Sequence, residues 1–178
     1  KLTYVPDGSF IELPFAYGLR ATCIDLDDRY YMIYEADDII GTFAKKCEED
    51  DDYVATIVSS DKDLLQLLSA EVDIKLLKQK DYIRYNPQTF KEDWGFEPIR
   101  MIDYKALAGD ASDNIPGVKG IGDKTAINLL KQYDTIEDIY EHIDEIKGKV
   151  KEKLIDDKDS AFMSKEICLL YTSPSPRD

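Results

Sequence analysis

Seven acidic side chains in three tight groups constrain this chain more than any other feature. They are Glu35, Asp37 and Asp38 in YEADDIIGT, Asp61 and Asp63 in SSDKD, and Asp110 and Asp113 in GDASDNIPGVKGIG. Acids drawn from distant parts of a chain commonly converge to hold a divalent metal, and hard cations such as Mg²⁺ or Mn²⁺ take oxygen ligands. Glu35 and Asp38 stand at i and i+3, on one face of a helix. Asp61 and Asp63 come after a β-branched run, and ligands of an α/β sheet gather at strand C-termini. Asp110 and Asp113 repeat the i, i+3 spacing.

Each group alone also has an ordinary reading. Acids in a first helical turn partner the helix dipole or cap it. Asp61 suits the N-cap of the element after it, and Asp110 and Asp113 suit a shaped loop. The metal reading rests on the three groups together and on the glycine-rich segment next to the third.

That segment is Ile115-Pro116-Gly117-Val118-Lys119-Gly120-Ile121-Gly122, ahead of a helix carrying Lys124, Ala126, Leu129 and Leu130. Gly120 and Gly122 permit positive φ and the close approach of another backbone. Exposed amides at the helix start form an anion site, and Lys119 and Lys124 add charge. Residues Gly117, Val118, Lys119, Gly120, Ile121, Gly122 and Lys124 therefore read as a helix-hairpin-helix clamp on a DNA backbone. A tight helix–helix turn is the plain alternative. Two metal ions roughly 3.5–4 Å apart activate water and stabilise both oxygens of a phosphodiester displacement. Acids and clamp together indicate a metal-dependent nuclease.

The predicted elements place these motifs. Ile39, Ile40, Phe43 and Ala44 recur at helical spacing, in a helix running from Glu35 to near Cys47. Tyr53 to Val58 reads as a buried strand, Asp63 to Leu68 as a short helix, and Val72 to Leu77 and Tyr82 to Tyr85 as strands. Strand, helix, strand implies an α/β sheet. After Asn86-Pro87 the pattern is helical: Thr89 to Trp94, a helix opened by Pro98, Asp123 to Tyr133, Thr135 to Ile143 with Thr135 as N-cap, Lys147 to Ile155, and Asp159 to Ile167. His142 reads as surface or packing, and Trp94 as a core anchor. In residues 1–33 apolar and polar residues alternate over short stretches, Ser9 to Pro14 and Arg29 to Ile33, but no long period holds.

At 178 residues the chain can bury one good core and a small second lobe. No apolar run reaches the length of a membrane span and no signal peptide is visible. Three scattered cysteines, Cys23, Cys47 and Cys168, argue for a reducing cytoplasm rather than a disulfide framework. The net charge of −14 excludes a simple electrostatic sponge for DNA. Part of it comes from the candidate metal ligands and part from Glu48 to Asp52, a solvated helix exit. Position 1 is Lys, so the natural start is expected upstream. The end, CLLYTSPSPRD, reads as the translation of a transposase sequencing adapter (TGTCTCTTATACACATCT encodes its first six residues), and 168–178 are set apart from the fold on that ground.

YEADDIIGTFAKK, VSSDKDLLQLL and YKALAGDASDNIPGVKGIGDKTAINLL resemble the 5′–3′ exonuclease domain of bacterial DNA polymerase I, of the flap endonuclease family. The resemblance covers about residues 34–167. It implies a PIN-like α/β nuclease core, partial here, over 34–105 and a helix-hairpin-helix lobe over 106–167. It implies that Glu35, Asp37, Asp38, Asp61, Asp63, Asp110 and Asp113 hold two Mg²⁺ or Mn²⁺ ions, with K⁺ at the hairpin carbonyls. The implied partner is DNA with a 5′ flap, nick or RNA primer, bound by a monomer that can belong to a longer polymerase chain. Family members also carry a metal-binding Asp on an N-terminal strand and a basic arch. Neither is visible in residues 1–33, and Asp25, Asp27 and Asp28 do not replace the Asp. The chain therefore reads as an interior fragment whose own activity is open. The alternative is a non-catalytic, structure-specific DNA-binding module.

Overall fold

The structure, a computed structural model, describes residues 11–12, 21–26, 29–34, 36–50 and 52–170, with side-chain surroundings from residue 36 onward. Glu35, Asp27, Asp28 and the adapter-like residues 171–178 lie outside the described residues. The chain divides into two compact units, Lys1–Val54 with Leu170–Asp178, and Ala55–Leu169.

In the first unit, β1 (Ile11–Glu12), β2 (Ala21–Leu26) and β3 (Arg29–Tyr34) form an antiparallel sheet in that order. Its register runs from Ala21 opposite Tyr34 to Leu26 opposite Arg29. The short alternating stretches at Ser9 to Pro14 and Arg29 to Ile33 overlap β1 and β3, while β2 shows only its share of β-branched residues. Helix α1 (Ala36–Glu48) carries Asp37 and Asp38 in its first turn and Lys45 and Lys46 in its last, both matched to the dipole. The expected apolar stripe is not its buried face. Ile39 and Phe43 are exposed, while Asp38, Gly41 and Ala44 are buried at a spacing of three.

The second unit holds β4 (Ala55–Ser59), β5 (Val72–Leu77) and β6 (Tyr82–Tyr85). β4 runs parallel to β5, and β5 antiparallel to β6. Val72, Ile74 and Leu76 point alternately into the core, as one buried face requires. The strand expected at Tyr53 begins at Ala55, because Tyr53 and Val54 are exposed and Val58 also faces out. Only Ile57 of β4 is buried, the pattern of a strand with a single covered face. The parallel pair needs a crossover, and this one winds a 3-10 turn over Asp63–Leu67 that buries Leu64 and Leu65 completely.

Helices cover the rest. α2 (Pro87–Trp94) starts on a reciprocal cap between Asn86 and Thr89 and stops at Gly95. Its fully buried Phe90 stacks on Trp94 at 5.7 Å, so Phe90 is the core anchor and half-buried Trp94 leans on it. Pro98 opens a 3-10 turn that leads into α3 (Met101–Ala108). α3 is the axle of the unit: Met101, Ile102, Asp103, Lys105, Ala106 and Leu107 are all buried. Against it pack α4 (Asp123–Tyr133), α5 (Ile136–Glu141) and α7 (Lys158–Cys168), and α6 (Lys149–Asp156) joins α5, whose Tyr140 hydroxyl donates to the Leu154 carbonyl. Thr135 caps α5 by accepting the Asp138 amide, as expected. His142 ends that helix, exposed and stacked on Tyr133. Cys168 belongs to this fold. It is the last residue of α7, buried with Ile102 and Ile115, and its carbonyl accepts from Gln66 at 3.1 Å. Setting the fold's end before Cys168 is therefore corrected by one residue at least.

Candidate metal centre and hairpin clamp

Asp63 is delivered by the crossover after β4. Ser59 Oγ accepts the Asp61 amide at 3.1 Å, and Asp61 Oδ1 accepts the Asp63 amide at 2.9 Å. This chain of turns starts the 3-10 segment, and its buried leucines fix where Asp63 points. Asp110 comes just after α3. Paired hydrogen bonds of 2.9 and 2.8 Å between the Asp110 and Ile115 backbones close the loop that carries Asp113. Asp110 Oδ1 also accepts the Ser112 amide at 2.8 Å and the Ser112 hydroxyl at 2.5 Å, which fixes its carboxylate.

The result is one group. Asp63, Asp110 and Asp113 each present an oxygen within 4.8 Å of the others. A single cation with oxygen ligands at about 2.0–2.6 Å spans such a triangle, so these residues fit a hard divalent metal. Asp61 is outside this triangle and serves as the turn's cap. Asp37 and Asp38 lie on α1 in the first unit, Asp38 being buried there.

Lys105 joins the three acids, although nothing in their spacing points to it. Its ammonium, on a residue only 6% exposed, lies 2.6 Å from Asp110 Oδ2 and 3.7 Å from Asp113 Oδ2 and pairs with Asp63 Oδ1. In the sequence it looks like one more member of the α3 stripe. The available signal was chemical: a lysine on an apolar helix face must find a carboxylate, because an unpaired buried charge is too costly. Burial works to raise the Asp110 carboxyl, but the hydrogen bonds from Lys105 and Ser112 outweigh it and hold the group well below the usual range.

The loop runs on into the hairpin, where two glycine backbones touch. A Cβ on Gly117, at φ +59°, would meet the Gly109 nitrogen at 2.3 Å. Only glycine at both positions allows this approach, which aligns the metal loop with the hairpin. Gly120 has positive φ as expected, but Gly122 does not: its φ is −106° and nothing lies near its missing Cβ. Gly122 instead gives α4 an N-cap without a side chain.

The hairpin is held from behind. Gly117 N–H donates to Ser164 Oγ, and Lys119 N–H donates to Asp157 Oδ2 at 2.7 Å. The carbonyls of Gly117, Val118 and Gly120 accept from Ser160 Oγ, Ile121 N–H and Lys153 Nζ, so a K⁺ there would have to share them. On the other side, the amides of Gly120, Gly122, Asp123 and Lys124 have no acceptor among the described residues. They open α4 beside exposed Lys119 and Lys124, as a phosphate site requires.

Residues 24–95 match the family model described as 5′-3′ exonuclease, N-terminal resolvase-like domain, and residues 96–175 that described as 5′-3′ exonuclease, C-terminal SAM fold. The chain belongs to the 5′–3′ exonuclease family. The match begins upstream of residue 34 and extends beyond residue 167, the limits drawn from the motifs alone. DNA polymerase I of Bacillus subtilis (strain 168) is 49% identical over 142 residues, covering 78% of this chain and 16% of that protein. DNA polymerase I of Streptococcus pneumoniae (strain ATCC BAA-255 / R6) is 42% identical over 172 residues, covering 94% and 19%. The chain thus spans less than a fifth of either relative. Among solved structures, the bacteriophage T5 5′-exonuclease with bound zinc superposes with a TM-score of 0.63 at 27% identity, over 75% of this chain and 49% of that one. The bacteriophage T5 flap endonuclease in a pseudo-enzyme–product complex with DNA and metal ions gives 0.62 at 25% identity, over 75% and 49%. The α/β core and helical lobe of this family agree with the expected fold class. No helix among the described residues is long and apolar enough to cross a membrane.

Proposed function

We propose that this chain is the metal-binding and duplex-gripping part of a 5′–3′ exonuclease and 5′-flap endonuclease that removes flaps and RNA primers from DNA. The observation that carries the reading is the convergence, within 4.8 Å, of Asp63 from the crossover with Asp110 and Asp113, whose loop is continuous with the hairpin. Two Mg²⁺ or Mn²⁺ ions, when bound, supply a nucleophilic water and charge stabilisation for the departing oxygen. Asp63, Asp110 and Asp113 hold one ion; Glu35, Asp37, Asp38 and Asp61 are assigned to the same task from the family motif. The amides of Gly120, Gly122, Asp123 and Lys124 grip a backbone phosphate of the duplex and set which phosphodiester meets the acids. The grip is sequence-tolerant because it reads no base edge. The enzyme acts in the cytoplasm, as a monomer or as one region of a longer polymerase chain.

The test is cleavage of a 5′-flap duplex with Mg²⁺, by this chain and by its natural full-length form. Asp110→Asn should slow cleavage by on the order of 10²-fold or more, while flap binding without metal changes far less. Equal cleavage by wild type and variant overturns the metal assignment. Binding without cleavage by the full-length form supports the DNA-binding module instead.

A further inference from the structure

Lys105 is a buried ammonium surrounded by the three carboxylates that fit a divalent metal. Three donors on one nitrogen face three acidic partners, so the residue does locally what a metal ion would do. We infer that Lys105 is the resident counter-ion of this site and that a divalent metal binds by displacing it. This rests on the reading of Asp63, Asp110 and Asp113 as metal ligands.

The geometry supplies the reason. An ion bound to all three oxygens sits inside a triangle whose corners are at most 4.8 Å apart. The Lys105 nitrogen, 2.6 Å from the Asp110 carboxylate, claims the same space. Two cations that close repel strongly where little water screens them, so one must leave. Lys105 has somewhere to go: its four-carbon stem is flexible, and Asp113, more than half exposed, marks the solvent side of the cluster. The arrangement gives two states. Without metal, the ammonium keeps the acids from driving the loop apart. With metal, the same ammonium would be freed toward the solvent side that Asp113 marks. The affinity for metal is then set low by the ammonium that must first be moved.

Two measurements on the whole chain test this. Mn²⁺ binding is monitored by electron paramagnetic resonance for wild type, Lys105→Met and Asp113→Asn, with circular dichroism to confirm folding. Lys105→Met should bind Mn²⁺ on the order of tenfold or more tightly, and Asp113→Asn more weakly. Unchanged or weaker binding by a folded Lys105→Met overturns the inference. In the wild type, acetylation of Lys105 by a water-soluble ester, mapped by mass spectrometry, should be slow without metal and fast with Mn²⁺. Equal protection in both conditions also overturns it. If none of the three proteins binds Mn²⁺, the metal reading itself fails, which is a separate result from tight binding that ignores Lys105.

Discussion

Asp103 Oδ1 lies 2.8 Å from Lys165 Nζ, in a position where the aspartate is completely buried. The pair ties α3 to α7. The same oxygen accepts the Ile136 amide at 3.1 Å, and Lys165 also holds Glu137, so the start of α5 joins the brace. Burial pushes the Asp103 carboxyl up, and the ammonium and amide offset this only in part.

Removing Lys165 leaves the buried Asp103 with only the Ile136 amide and Arg100, at 3.7 Å, to offset its charge. Lys165→Met should lower stability by about 3 kcal/mol, and the pair Asp103→Asn with Lys165→Met should lose less than that. Urea denaturation of the two variants checks it; an equal or larger loss in the double variant would mean the charge pairing is not what holds α3 to α7.

Asp110 gives a pH dependence. Its folded pKa lies below the unfolded 3.8, so on acidification the unfolded chain takes the proton first. The stabilisation is complete above pH 3.8 and is lost as pH falls through the folded value. Thermal unfolding below pH 4 should therefore fall more steeply for wild type than for Asp110→Asn.

Two glycines of one hairpin should respond oppositely to alanine. Gly117→Ala forces a side chain at φ +59° against the Gly109 backbone and should cost on the order of 2 kcal/mol or more. Gly122→Ala meets nothing and should cost no more than about 1 kcal/mol, the loss of a glycine N-cap. Denaturant midpoints of both variants decide between them.

Phosphate contact by Lys124 has its own signature. Lys124→Ala should weaken flap-DNA binding and reduce the slope of log affinity against log salt by about one unit. A salt series by fluorescence anisotropy measures this, and an unchanged slope removes Lys124 from the interface.

Cys168 should resist thiol reagents. Burial pushes its thiol up to about 11, so it should react with Ellman's reagent only on unfolding, whereas half-buried Cys47 reacts in the native chain. Rapid native labelling of Cys168 would contradict its place in the α3–α7 core.

The sequence by itself determined the chemistry and most of the elements. Carboxylate type, hairpin glycines, Thr135 as a cap and the bounds of β5, β6 and α4 are local properties, written in adjacent residues. It also carried the family, because the motifs around Asp110 and Gly120 are contiguous. Tertiary structure decided which acids meet. Asp63 and Asp110 are 47 positions apart (110 − 63) and share a cation only because the crossover and α3 pack together. It turned Phe43 outward, gave Gly117 rather than Gly122 the crowded contact, and placed Lys105 among the acids. Those outcomes depend on what lies across a packed interface, and no spacing along one segment encodes its neighbour.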